Sequence, residues 1–485
     1  MTAGFLRVIN RPQVLALSFG AMIGWSWVAL TGVWIGNAGP VGAILAFLAG
    51  GTALAFVGLV YAELAAAMPL VGGEHVYSMR ALGRTASFVC TWAILLGYAS
   101  VVAFEAVALP TVLAYLVPGF DRGYLWTVAG WDVNASWVAT GAIAAVVMIV
   151  INILGIRTAA RVQLLVVVVI VACGLALVSG AVVTGVAAHL SPAFAGGVAG
   201  ALSVLAMVPF MFVGFDVIPQ SAEEIDMPFR QIGSTLVLSI LVAILWYVLI
   251  IGAVGLGLSQ QERSASSLPT ADAATALLGG SWAGKLLVVG GIAGILTSWN
   301  AFLIGGSRAL FALAQARQVP VVFAKLHPRY RTPVNAILLI GGLAVIAPLF
   351  GRPAMVWLVD AGGLGIVTAY AIVALSFIVL RRREPEMERP YRVKRGRLVG
   401  WLALGLSIAL AVLYLPWSPA ALVWPQEWLI VIAWCVLGYA LHRLSERGAT
   451  GPTAPIATSA HKVRSDELLP VSEQPRRAAG VQKDD

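Results

Sequence analysis

Apolar runs long enough to cross a bilayer recur along this chain, and they constrain its fold more than any other feature. A spanning helix needs about 20 consecutive apolar residues. Such runs fall near 13–35, 40–66, 86–116, 136–154, 160–186, 198–221, 231–257, 283–314, 333–351, 354–380, 398–416 and 427–444. In hydrocarbon every backbone N–H and C=O must be satisfied within the structure, so these runs are expected to be helices. Composition agrees. Only 11% of the residues are charged and 60% are hydrophobic, against about a quarter charged in a soluble protein. The expected fold class is an all-α polytopic membrane protein with about 12 transmembrane helices. Its membrane domain covers 13–445, after a short N-terminal segment, 1–12. The tail, 446–485, is rich in Pro, Ala, Ser, Thr and charge, cannot bury a core, and reads as disordered.

An even number of spans puts both ends of the chain on one side. Of the 31 Lys and Arg, all but Arg122, Arg263, Lys285 and Arg352 then fall on that side. Positive charge marks the cytoplasmic face, so both termini are expected in the cytoplasm, with the chain in the cell membrane. The net charge of +9 is thereby explained by topology and not by a nucleic-acid partner. Cys90, Cys173 and Cys435 lie far apart in apolar runs, with no metal-ligand spacing, and read as buried thiols. The histidines occur singly, and no Cys/His cluster, activated nucleophile or nucleotide-binding loop is present. The expectation is no enzyme, no metal and no cofactor. Too few polar positions lie within the spans to line a channel. A gradient-driven or exchanging transporter is the reading that remains, with a transporter-like sensor as the alternative.

Two spans carry interruptions. The first contains "GAMIGW", Gly20 to Trp25. The sixth contains "MVPFMFVGFDVIPQSAEE", with Pro209, Gly214, Asp216 and Pro219 in one crossing. Small residues four apart also serve close helix packing, which leaves two readings for Gly20 and Gly24. Prolines and an acid inside one lipid-facing helix are costly. The interruptions are five spans apart, which points to inverted repeats over about 13–186 and 198–380, with substrate held at unwound backbone. The helices over 398–445 would then be peripheral.

Four stretches resemble the amino acid–polyamine–organocation (APC) superfamily of permeases, which have a leucine-transporter-type fold. They are "YAELAAAMPLVGGEHVYSMRALG" (61–83), "GFDVIPQSAEEIDMPFRQI" (214–232), "SRALFALAQARQVPVVFAKLHPRYRTPVNA" (307–336) and "PEMERPYRV" (385–393). The resemblance implies a secondary transporter of amino acids working by alternating access. A permease for ethanolamine or a polyamine is the alternative. Substrate would bind along Gly20, Ala21, Met22, Ile23, Gly24, Trp25 and Ser26 of the first span. Gly24-Trp25-Ser26 aligns with a G-S-G triplet whose backbone amides receive the substrate carboxylate. The bulk of Trp25 and Ser26 departs from that pattern, and it implies a smaller site, suited to a small amino acid or a small amine. Phe212, Gly214, Phe215 and Asp216 would supply the other wall, with Tyr98 facing it from the third span.

The resemblance also makes Phe210 an occluding gate, with packing as the other reading. Asp216 would carry charge or a proton, or else cap freed backbone. Glu105 is seven residues beyond Tyr98, on the same helical face and about 10 Å further out. It reads as a proton carrier or ammonium partner, or as a neutral core residue. Thr297 and Ser298 stand where sodium-coupled relatives place oxygen ligands, with a bond from each hydroxyl to a preceding carbonyl as the other reading. The lysine that replaces the cation in some members aligns with Ile170 and is missing, so Na+ and H+ both stay open as coupling ions. Glu63, Glu223, Glu224 and Asp226, with Arg80, Arg84, Arg230 and Arg308, read as a cytoplasmic gate network. The expected partners are a small-molecule substrate and the bilayer.

Overall fold

In the computed structural model, residues 9–448 are described, without the side chains of 156–163. Asn10 starts the first helix, α1 (Arg11–Met22). Its side chain accepts from the Gln13 N–H while the Gln13 side chain accepts from the Asn10 N–H, a reciprocal cap. After an opening at Ile23 to Trp25 the chain forms α2 (Ser26–Ala29) and α3 (Thr31–Ala67). Hydrogen bonds from Leu30 N to Ser26 O and from Trp34 N to Leu30 O carry the helical ladder from α2 into α3. The first span therefore resumes at Ser26 and runs to Gly39. There φ is +75°, and a β-carbon would lie 2.5 Å from the Ala193 carbonyl oxygen. Only glycine tolerates both. Pro40 follows and opens the second span.

The chain continues through α4 (Glu74–Leu82), α5 (Arg84–Leu116), a hairpin of β1 (Tyr124–Val128) and β2 (Trp131–Asn134), α6 (Ala135–Leu154) and α7 (Ile156–Thr184). The second half holds α8 (Gly197–Phe212), α9 (Val217–Gln220), α10 (Phe229–Gly257), α11 (Gln260–Ala265), α12 (Pro269–Leu278), α13 (Ser281–Gln315), α14 (Val334–Ile346) and α15 (Ala354–Arg383). Two more helices follow, α16 (Gly396–Val412) and α17 (Gln426–Gly448). Among the described residues, 9 helices are long and apolar enough to cross a membrane. The broken first span and the shorter apolar helices at Val334–Phe350 and Gly396–Val412 complete the expected set.

Helix neighbours repeat with a shift of five spans. α1 packs on α7 as α8 packs on α15, α7 on α13 as α15 on α5, and α3 on α8 as α10 on α1. α16 leans on α15 and α3, and α17 on α15 and α5, outside this set. In the loop after α5, Ala129 and Gly130, both at positive φ, close a two-residue hairpin. One expectation needs correction. Of the three cysteines only Cys90 is buried. Cys435 is exposed and Cys173 partly so, because α7 and α17 turn apolar faces outward, Val168 and Val436 among them.

Candidate functional site

Both interruptions occur where the sequence breaks the helical backbone. α1 ends at Met22, where Ile23 leaves helical geometry. Among the described residues, the N–H groups of Gly24, Trp25, Ser26 and Trp27 have no main-chain acceptor. α8 ends at Phe212, and Gly214 takes φ +133°. A β-carbon on Gly214 would lie 2.6 Å from the Ala21 β-carbon and 2.9 Å from the Met22 nitrogen. The backbone of one break thus rests on that of the other. Tyr247 of α10 joins them: its hydroxyl donates to Met22 O at 2.6 Å and lies 3.2 Å from both Met211 O and Ser26 Oγ.

Beside this junction is a cavity of about 10 Å³, lined by Ala21, Met22, Gly24 and Ser26, by Val101, Phe104 and Glu105 of α5, by Phe210, and by Ser298 and Phe302 of α13. It has room for about one water. Glu105 reaches across from α5, so that its Oε1 would lie 2.4 Å from a β-carbon on Gly24. The Trp25 N–H and the Ser298 hydroxyl face the same carboxylate. Phe210 stands edge-on to Phe104 with centroids 5.9 Å apart. A larger recess, lined by Arg381, Arg392, Arg395 and Arg397, opens at the surface between α15 and α16, away from the breaks.

The other expected residues lie around the cavity and not in its wall. The Gly20 carbonyl accepts from Thr297 Oγ1 at 3.1 Å, and that hydroxyl also lies 2.9 Å from Gly294 O. Oxygens of the kind sodium uses are thus brought together but engaged with one another. Ile23 is fully buried. Trp25 is directed at Gly291 of α13, where a β-carbon would run into the indole ring. Its bulk therefore fills a glycine notch and does not crowd the cavity, contrary to the expectation from sequence. Phe212 faces Phe47 and Tyr247, and Phe215 packs on Tyr61 and Tyr370.

Asp216 is fully buried below the break. Its Oδ1 accepts the Gly214 N–H at 2.7 Å, and Tyr370 donates to Oδ2 at 3.4 Å. Tyr98 packs on Phe302, with its hydroxyl turned toward this carboxylate. Arg308 pairs with Glu224 at 2.8 Å, both buried. Glu63 pairs with Arg381 and Arg389, two arginines the sequence reading had not matched to it, because they arrive from the end of α15 and the loop beyond.

Glu74 had not been singled out. It opens α4 right after Gly72-Gly73 and is fully buried. One carboxylate oxygen accepts from Gln220 Nε2, and the other has no partner. Burial foremost, then the nearby Asp216, pushes its pKa well above the usual 4.5. The adjacent His75 is held down at about 4 by burial and by Arg84, and it sits 2.9 Å from the Ser87 hydroxyl. A Glu-His pair behind two glycines in an apolar stretch was the signal available in the sequence.

Residues 9–441, a stretch that includes both breaks and the cavity, match the family described as amino acid permease. The chain belongs to this family. The permease is similar to the branched-chain amino acid permease BcaP of Bacillus subtilis (strain 168), 26% identical over 426 residues, which cover 86% of this chain and 90% of that protein. It is 25% identical over 450 residues to the methylthioribose transporter of the same organism, covering 91% and 94%. To the aspartate-proton symporter of that organism it is 25% identical, covering 82% and 78%. By their names these relatives are a permease, a transporter and a symporter, and the described residues of this permease include 9 helices long and apolar enough to cross a membrane.

Proposed function

We propose that this permease is a secondary transporter of amino acids or related small amines in the cell membrane, driven by a proton or sodium gradient or by exchange. The observation that carries the reading is the meeting of two interrupted helices, one from each half, at a small cavity lined by Gly24, Glu105 and Phe210 among others. Freed backbone in a membrane protein is tolerated where it lines a cavity, and a site shared by two halves is reached from either side as they rock. The cavity holds about one water, so a solute is admitted only when the surrounding helices part. On the side carrying most of the basic residues, Glu63–Arg381 and Glu224–Arg308 bind the helix ends together and would have to separate for release. A substrate without a carboxylate is favoured by one observation, the acid already lodged in the first break.

Uptake into proteoliposomes tests the proposal. Asp216→Asn keeps an oxygen for the Gly214 N–H and removes the charge. The expected outcome is uptake at background, or uptake no longer dependent on the imposed gradient, with normal membrane insertion. Full gradient-driven accumulation by the variant would refute the role of Asp216. Failure of the parent protein to take up any amino acid or amine would overturn the transport reading itself.

A further inference from the structure

The freed N–H groups at the start of a helix form a seat for an anion. In the first span that helix starts at Ser26 and runs unbroken in its hydrogen bonds through Leu30 into α3. The seat is already occupied by a side chain. Glu105 Oε1 presses on the α-carbon of Gly24 so closely that a β-carbon there would be 2.4 Å away, and the Trp25 N–H faces the carboxylate. Its other oxygen, Oε2, is buried with no hydrogen-bond partner. Among the described residues no Lys, Arg or His lines the cavity; apart from Glu105, Ser26 and Ser298 its side chains are apolar, with Phe104, Phe210 and Phe302 the largest.

We propose that Glu105 is a built-in carboxylate occupying the place where a ligand's carboxylate would be held, and that it makes the site selective for organic ammonium compounds that lack a carboxylate. This rests on the transport reading above and narrows its substrate class. An acid tethered to α5 competes with a dissolved one at a very high effective concentration. An ammonium group supplies what is missing, donors for the unpaired Oε2 and a cation for the faces of the phenylalanines.

The test uses purified full-length protein and matched pairs: leucine with isoamylamine, valine with isobutylamine, serine with ethanolamine, lysine with cadaverine. Ligand-induced thermal stabilisation reports binding to the folded state. The parent protein is expected to respond to amines and not to their amino acid counterparts. In Glu105→Gln the amine response should weaken by about tenfold or more, the loss of one charge-assisted contact. The comparison within the parent protein stands even if the variant folds poorly. Stabilisation by amino acids over their amines, an unchanged amine response in Glu105→Gln, or no response to either class would each overturn the proposal. Uptake of the same pairs into proteoliposomes separates the two failures. Accumulation of amino acids alone sinks the amine assignment and leaves the transport reading, whereas accumulation of neither sinks transport.

Discussion

Glu74 carries a thermodynamic signature that can be measured without knowing any substrate. Burial and the neighbouring Asp216 raise its pKa well above 4.5, so the folded protein holds this proton more tightly than the unfolded chain does. Stability from such a group is fully present below the unfolded pKa and is lost as pH rises through the folded one. Glu74→Gln preserves an oxygen for Gln220 and removes the ionisation. It should melt above the parent at pH 8, by roughly 1–3 °C, and level with it at pH 4.5. His75, held at about 4, titrates alike in both proteins and cancels in the comparison. Equal melting at both pH values would mean that Glu74 is not held out of water. Single residues were also where sequence was least informative. Phe210 and Phe212 are two apart on α8 and therefore face nearly opposite ways; one lines the cavity and the other packs on Phe47 and Tyr247. Nothing in the apolar run fixes which way the helix is rotated. Trp25 was misplaced for the same reason, since the notch at Gly291 that receives it lies in another helix.

The helices themselves were easier to read, because a span is set by apolar length and a break by Gly, Pro and an acid where lipid permits none. The first break, at Ile23 to Trp25, and the second, after Phe212, fall within the two stretches singled out. Hydroxyl and ionic contacts between helices were less legible. Tyr247 lies in a run as apolar as any other, and nothing nearby marks it as the residue joining both breaks. Arg308 and Glu224 were expected to fall on one side, but their full burial was not. Both are 2% exposed, so removing one partner strands the other charge. Arg308→Ala should cost about 3–5 kcal/mol, read as a lowered melting temperature in detergent. Replacing both residues by Met should cost less than the single change, and an additive double variant would mean that the two do not act as a pair.

Over the whole molecule, the charge asymmetry makes a prediction about orientation. Only Arg122, Arg263, Lys285 and Arg352 stand against the basic side, so a fluorescent reporter at either terminus should be read from the cytoplasm. A phosphatase inserted at the Ala129–Gly130 turn of the hairpin should be active outside. The reverse pattern would invert the assignment of both faces. The repeat order was legible from two interruptions five spans apart, and the neighbour relations, α1 with α7 and α8 with α15, carry the same shift. The contact at Gly214 has a consequence for how such a protein diversifies. There the backbone of Gly214 lies against the Ala21 β-carbon and the main chain of Ala21 and Met22, and Gly214 has no freedom to vary. The cavity wall contributed by α5 is made by Val101, Phe104 and Glu105. On the transport reading proposed above, new substrates would be acquired by editing that wall, while the contact between the two breaks stays fixed by the absence of a single carbon atom.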